Sequence, residues 1–314
     1  MTVVIRRFQA NDAQGISALF RTVYGDRYVY PEVYLPSVIR HHNQCDRWKT
    51  LVAVEDGRIV GHATLWRQPT EHPAADSAEQ AAEIAMFVVH PSARGRGVAT
   101  SLGRQLCEDA RRHGLQTLVI KMVSSHRRSQ QLARRLGFHT TGLLMDYVSS
   151  PFGQNSRESV VLGVLPLQAR PIPVEAACGG AGEWIDELAQ RFGARPFPSG
   201  RGSPTHAQVS THDDRLDVTL DSPTSCGVEE ICCLPASRLT HVLARLDVGL
   251  VSMLPALHHA GYADMGLAPA SSGGWYWMLQ RGYRPRALDL ICPIARALNG
   301  QANPPDSPAS ARGP

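Results

Sequence analysis

The stretch HPSARGRGVATSL, residues 90–102, alternates two arginines, Arg94 and Arg96, with two glycines, Gly95 and Gly97, just before residues that read as the start of a helix. Glycine reaches backbone conformations closed to other residues and leaves neighbouring N–H groups uncovered. The first turn of a helix adds unsatisfied N–H groups and the positive end of the helix dipole. Together these make an anion cradle, in which backbone donors wrap a pyrophosphate while the arginines neutralise charge at its margin. The stretch is not a Walker loop, which needs G-x-x-x-x-G-K-[ST], and it is not the G-x-G-x-x-G dinucleotide turn.

Outward from this turn, the pattern is one of alternating strands and helices. Upstream, EIAMFVVH (83–90) is too apolar for a half-exposed strand and reads as central in a sheet. Downstream, Val98, Leu102, Leu106 and Ala110 recur at intervals of four, one stripe of a helix ending near Gly114. LQTLVIKMV (115–123) is a second buried strand, so strand, helix and strand form a right-handed parallel crossover. SQQLARRLGF supplies a further helix closed by Gly137, and TTGLLMDYV and RESVVLGVL supply strands. On the N-terminal side, residues 2–8 alternate weakly as a strand, DAQGISALF starts a helix with Asp12 as N-cap, and KTLVAVEDGRIVGHATLW is a hairpin turning at Asp56-Gly57. EHPAADSAEQAA reads as a polar loop. In YGDRYVYPEVYLP, Tyr24, Tyr28, Tyr30 and Tyr34 fall within eleven residues. Two readings stand: a packed helix–loop–helix, or an aromatic wall facing a substrate.

At 314 residues and 43% apolar content the chain is long enough for two domains, each with its own core. No run approaches the roughly 18 apolar residues of a membrane span, and the N-terminus lacks a signal peptide's apolar centre, so a cytoplasmic protein without membrane contact is expected. Seven cysteines without framework spacing fit reduced thiols. The 32 basic residues against 28 acidic ones give +4, too small an excess to indicate nucleic acid. Neither CGVEEICC (226–233) nor the group His206, His212, Asp213 and Asp214 has convincing ligand spacing, so no metal is expected.

The pattern restarts after a Pro/Gly/Ala-rich linker at 166–182 with the helix EWIDELAQRFG. LGFHTTGLL (136–144) is echoed by AGYADMGLA (260–268), each after an expected helix, so residues 183–299 read as a diverged relative of the first domain. The stretch HVLARLDVGLVSMLPALHH, taken as the counterpart of the turn, offers nothing for a pyrophosphate. In GGWYWMLQRGY, Trp275 and Trp277 share a strand face, expected in packed core or a dimer contact, and 300–314 reads as a disordered tail.

Residues 1–165 resemble the GNAT superfamily of acyl-CoA N-acyltransferases, whose signature [QR]-x-x-G-x-[GA] is matched by Arg94, Gly97 and Ala99 between an apolar strand and a strand–helix–LGF run. The resemblance implies an α/β (α+β) GNAT fold with a mixed central sheet and the parallel crossover, plus a diverged GNAT-like second domain. It implies acetyl-CoA as co-substrate, with the pantetheine arm along Phe87, Val88 and Val89 and the pyrophosphate on Arg94, Gly95, Arg96, Gly97, Val98, Ala99 and Thr100. Many members carry N-x-x-A-x-x-x-Y before the LGF. Here those positions are His126, Ser129 and Ala133, so His126 and Ser129 are candidate cofactor contacts and the usual acid tyrosine is absent. Tyr147, Ser125 or Ser129 is left to protonate the departing thiolate. Glu83, flanked by Ile84 and Met86, is the candidate general base or an ordinary strand-end carboxylate. Tyr24, Tyr28 and Tyr30 are candidate substrate contacts. By likeness to two-domain bacterial members, acetyl transfer to a primary amine of a small molecule by a homodimer is expected. A protein-directed acetyltransferase with an open groove and an idle acyl-CoA-binding regulator are the rivals.

Overall fold

The computed structural model describes residues 2–67, 81–150, 157–175, 182–197, 207–212, 214–270 and 273–304. The first half runs β1 (Val4–Arg7), α1 (Asp12–Tyr24), α2 (Pro36–Gln44), β2 (Trp48–Glu55), β3 (Arg58–Trp66), β4 (Ala81–Val89), α3 (Val98–Arg112), β5 (Thr117–Val123), α4 (Arg127–Arg135), β6 (His139–Ser149) and β7 (Arg157–Pro166). The β2–β3 hairpin turns where expected, with Asp56 and Gly57 both at positive φ. The expected loop 71–82 lies largely outside the described residues, but Ala81 and Ala82 already belong to β4. Asp12 does not cap α1. It is the first helical residue, and its carboxylate accepts two bonds from the Arg6 guanidinium (2.6 and 2.7 Å) and one from the Gln9 N–H (2.7 Å), tying β1 to the helix.

The chain continues through β8 (Ile172–Pro173), α5 (Glu183–Phe192), β9 (Ala194–Arg195), β10 (Gln208–His212), β11 (Arg215–Leu220), α6 (Ser225–Cys232), β12 (Thr240–Arg245), α7 (Val248–His259), β13 (Ala263–Pro269), β14 (Trp275–Arg281) and α8 (Pro293–Ala302). One 12-stranded sheet passes through both halves in the order β1-β2-β3-β4-β5-β7-β6-β13-β14-β12-β11-β10. The order is symmetric about the β6–β13 join. Parallel β4–β5 is matched by parallel β11–β12, antiparallel β5–β7 by β12–β14, and antiparallel β6–β7 by β13–β14. The irregularities match too, since the register of β6 shifts between Thr140 and Gly142 and that of β13 between Asp264 and Gly266.

Gly142 and Gly266 are the pair through which β6 and β13 meet, antiparallel. An approximate two-fold axis therefore passes between them. Neither position has room for a side chain. A Cβ on Gly142 would lie 2.8 Å from the Met265 carbonyl oxygen, and one on Gly266 would lie 2.2 Å from that of Thr141. Gly266 also has φ of +96°, a conformation closed to ordinary L residues.

Continuity of the sheet overturns the expectation of two separate cores. One buried cluster runs from Leu51 and Ala63 through Leu118 and Val161 to Val242, Leu267 and Trp277. A second lies beneath α1 and α2 and contains Ile16, Phe20, Ile39, Val52 and Val88. Trp275 and Trp277 belong to the shared core, each edge-on to an aromatic residue of α5, Phe192 at 5.1 Å and Trp184 at 5.3 Å. The expected linker is built in as well: Arg170 and Ile172 are buried, and β8 pairs with β9. The helix α8 reaches Ala302, and the remainder of the expected tail from residue 305 lies outside the described residues.

The chain after β14 returns over the first half. The Arg284 N–H donates to Asp146 Oδ2 (2.8 Å), Arg286 pairs with the same carboxylate, and the Asp289 N–H donates to the Ser124 carbonyl (3.2 Å). Gln280 of β14 closes the seam by bonding both the N–H (2.7 Å) and the carbonyl (3.1 Å) of Met145.

Replacing Gly266 with alanine adds a backbone clash to a strained φ, a cost of about 2–4 kcal/mol. Denaturant unfolding of Gly266→Ala should show a midpoint well below wild type. An unchanged midpoint would show that the join tolerates a side chain.

Candidate active site

The site starts from an irregularity in β4. The β3–β4 register shifts between His62 and Thr64, and Met86, opposite the shift, has φ of +57°. Buried His62 holds this bulge by donating from Nδ1 to the Met86 carbonyl at 2.9 Å. Burial, opposed by that bond, pulls the imidazole down to about 4, so the ring is neutral at pH 7. On its other side β4 pairs with β5 only from Ala81 to Glu83, the last pair being Glu83 with Val119. From Ile84 to Val89 the two strands part, and β4 has no strand partner on its β5 side among the described residues.

The gap opens towards the glycine–arginine turn. After a 3-10 turn at Pro91–Ala93, Gly95 and Gly97 take φ of +76° and +78°, and Gly97 is the N-cap of α3 with no side-chain cap. A Cβ at either glycine would meet nothing within 4 Å, so the space beside the turn is free of other atoms, and no side chain caps the first N–H groups of α3. Val98 anchors the turn from beneath. It is 5% exposed, and its Cγ1 lies so near β3 that a Cβ on Gly61 would stand 2.8 Å from it. Ala99 and Thr100 are half-buried. Arg94 donates from Nε to the Val89 carbonyl at 3.3 Å. Arg96, expected beside a phosphate, instead forms a two-pronged bond with Glu55 at 2.7 and 3.1 Å, and so braces the turn against β2. Val88 is buried beneath α1, so only its backbone is available to a ligand, whereas Phe87 and Val89 are half-buried.

At the root of the gap Glu83 is 9% exposed, and its Oε2 accepts from Lys121 Nζ at 3.0 Å. The expected apolar surroundings of this carboxylate are corrected by that ammonium. Burial opposes the charge on Lys121, but the Glu83 carboxylate holds it above the ordinary lysine range. Tyr147, expected near a departing thiolate, stands with this ion pair: Lys121 Nζ is 5.5 Å from its ring centre. Its other neighbours come from the second half, with the Arg215 guanidinium 4.1 Å over the ring and the His241 ring edge-on at 5.9 Å. Arg215 and His241 in turn hold Asp217, at 2.6 and 2.7 Å and at 3.5 Å. Burial opposes the charge on Asp217, but His241 and Arg215 hold its carboxyl well below the usual range.

Lys121, Arg215, Asp217 and His241 were not foreseen from sequence. The signal for Asp217 is positional: it pairs with His241 between parallel β11 and β12 as Glu83 pairs with Val119 between β4 and β5.

Tyr24, Tyr28 and Tyr30 form a continuous aromatic row. Tyr28 lies 4.8 Å from both Phe20 and Tyr24 and 5.9 Å from Tyr30, and Tyr30 is edge-on to Trp66 at 4.9 Å. The row reaches from the neighbourhood of Arg94, whose charge is felt at Tyr24, to that of Lys121 and Glu83, felt at Tyr30. Burial pushes Tyr30 up to about 12, so its hydroxyl stays protonated at neutral pH. Tyr34 serves as a strut, its hydroxyl accepting from the Tyr28 N–H at 2.8 Å. On α4, His126 is the exposed N-cap residue, Ser129 Oγ donates to the Val123 carbonyl at 3.3 Å, and Ala133 is buried in the core.

Among the described residues the second half has neither the gap nor the turn. β11 and β12 stay paired from Leu216 to Leu220. The counterpart of the glycine–arginine turn is not the stretch 241–259, which forms β12 and α7, but the Asp221–Thr224 connection into α6. There Thr224 Oγ1 accepts from the Gly227 N–H at 3.1 Å, a side-chain cap where α3 has none. Of the group at 206–214, His206 and Asp213 lie outside the described residues. His212 faces Asp217 and Asp214 pairs with Arg157. No helix among the described residues is long and apolar enough to cross a membrane.

Residues 16–138 match the acetyltransferase (GNAT) family. No curated protein matches the chain. Solved structures that resemble it include an N-acetyltransferase from Staphylococcus aureus Mu50 (21% identity, TM-score 0.46), which covers 54% of this chain and 100% of its own. A Salmonella typhimurium protein whose structure holds its cofactor acetyl-CoA has 21% identity and a TM-score of 0.45, with 54% and 95% covered. The ribosomal-protein-S18-alanine N-acetyltransferase of Escherichia coli has 16% identity and a TM-score of 0.43, with 53% and 95% covered. The family match spans the bulge of β4, the parted strands and the glycine–arginine turn, so it is residues 16–138 of this chain that are similar to the GNAT acetyltransferases.

Proposed function

We propose that this chain transfers the acetyl group of acetyl-CoA to a primary amine of a small molecule, with both substrates bound at once. The observation that carries this reading is the parting of β4 and β5 after Glu83 into a gap that ends at the open N–H groups of α3. The gap leaves the backbone of Phe87–Val89 free to pair with an extended pantetheine arm, as an added strand would. The turn fits a pyrophosphate, because Gly95 and Gly97 keep side chains out of the space in front of the uncapped helix end, and Arg94 lies at its margin. When bound, acetyl-CoA supplies the activated acyl group.

The remaining work falls to side chains at the root of the gap. Glu83 is placed to accept a proton from the incoming ammonium group, with Lys121 fixing its orientation. The row Tyr24, Tyr28, Tyr30 is placed to cover one side of the acceptor with aromatic surface. The second half stands on another side, through Arg215 and His241 against Tyr147. That closure supports a small acceptor over a protein substrate, which needs an open groove. Tyr147 is the candidate to protonate the leaving thiolate, since the family's position for that acid is the buried Ala133.

We propose further that the second half keeps the sheet of an acetyltransferase while serving structure rather than cofactor binding. Its support is the paired β11 and β12 and the acidic, side-chain-capped turn at Asp221–Thr224.

Three outcomes test these readings. Gly97→Asp places a carboxylate in front of the open N–H groups at a φ that aspartate tolerates, so calorimetry should find CoA affinity lowered at least ~10-fold in a folded protein. Glu83→Gln keeps shape but cannot accept a proton. Thiol release with an amine panel should fall at least ~100-fold while acetyl-CoA affinity is nearly unchanged, and equal activity would move the base elsewhere. Titration of the full-length chain should reach one CoA per molecule; two would give the second half a working site.

A further inference from the structure

A pocket lies at the seam between the halves, at the end of β5 away from Lys121. Its volume is about 140 Å³, and its walls include Gln116, Thr117, Gln168, Arg170, Arg195 and the Gly273–Gly274 turn. It therefore draws on the first half, the connecting segment and the second half together.

One wall of this pocket carries a charge that no described residue balances. Arg170 is only 6% exposed, and among the described residues no carboxylate pairs with it. Its Nε donates to Thr117 Oγ1 at 3.0 Å and its Nη1 to the carbonyls of Ala270 (3.2 Å) and Gly274 (2.5 Å), all neutral acceptors. Its Nη2 makes no hydrogen bond among the described residues. The guanidinium lies 5.8 Å from the Trp275 ring centre, which adds weak attraction without neutralising it. Further positive charge gathers here. Arg195 lines the pocket, and Arg245 lies against Gly274, where a Cβ would stand 3.2 Å from its Nη2. Burial, reinforced by Arg245, pulls the Arg170 guanidinium down to about 10, the reverse of what an anionic partner would do.

A buried charge without a counter-charge is costly, and a guanidinium fork matches the paired oxygens of a carboxylate or phosphate. We propose that the seam pocket is a binding site for a small oxyanion, a phosphate or carboxylate group, held between Arg170 and Arg195. A ligand there would touch residues from both halves and so stabilise the seam. The site is separate from the glycine–arginine turn and does not depend on the proposed acetyl transfer.

The test uses the full-length chain with inorganic phosphate, acetate and chloride at equal ionic strength, followed by calorimetry and thermal unfolding. Phosphate or acetate, but not chloride, should bind and raise the unfolding midpoint by roughly 2 °C at about ten times Kd. Which of the two binds more tightly identifies the source of the oxyanion. Arg195→Gln should weaken that binding at least ~10-fold while its unliganded midpoint stays at the wild-type value. Arg170→Gln should abolish it, and if that protein does not fold the exposed Arg195 variant carries the test. Gly97→Asp should leave the effect intact. The proposal is overturned if neither oxyanion outperforms chloride, if Arg195→Gln binds as wild type does, or if Gly97→Asp removes the effect, which would place the anion on the α3 turn.

Discussion

The two halves of this molecule join at a contact that has room for no side chain on either strand. Gly142 and Gly266 face each other across β6 and β13, and the Met278 methyl and Met265 carbonyl on one side and the Thr141 carbonyl on the other crowd the space where a Cβ would be. Joining two sheets edge to edge through one residue pair supplies few ladder bonds, so the seam depends on what surrounds it. Gln280 clasps Met145, and Arg284 and Arg286 reach Asp146. The shared core then makes the halves inseparable in energetic terms, since residues from both bury one another.

The seam also shapes the candidate site. Asp146 sits at φ +49° within a second irregularity of β6, and the next residue is Tyr147. The Asp146 N–H donates to Ser159 Oγ and its carboxylate accepts from the Arg284 N–H, while Arg157 and Arg215 both donate to the Tyr147 carbonyl. The ring that lies over Lys121 is thus positioned by residues on both sides of the pseudo-axis. The glycine–arginine turn is built from the first half alone, whereas the groups that aim Tyr147 come from both.

Local chemistry made much of the fold legible in the sequence. The hairpin at Asp56-Gly57, the start of α3 at Val98 and its end before Gly114 follow from turn residues and a four-residue apolar spacing that act over a few positions. The echo between 136–144 and 260–268 brought out the two glycines that meet at the join, though nothing local announces that they meet each other. What escaped notice depends on long-range register. Lys121 looks like an ordinary strand lysine until β5 sets it against Glu83, and Arg96 looks like a phosphate ligand until the β2–β3 hairpin brings Glu55 beside it. The counterpart of the glycine–arginine turn lies one strand and helix earlier than the sequence suggests, because the short α6 segment CGVEEICC does not show a clear helical stripe. Asp12 reads as a cap from sequence, since the pattern cannot show that Arg6 competes for its carboxylate.

A tandem chain has a freedom that two identical subunits lack. In a homodimer built on the same axis every mutation appears twice, so a change that closed the strand gap in one copy would close it in both and leave no catalyst. Covalent linkage breaks that equivalence. The half with paired β11 and β12 can carry an acidic turn where the other carries open glycines, and can use Asp217, the positional twin of Glu83, to hold an arginine against its neighbour's tyrosine.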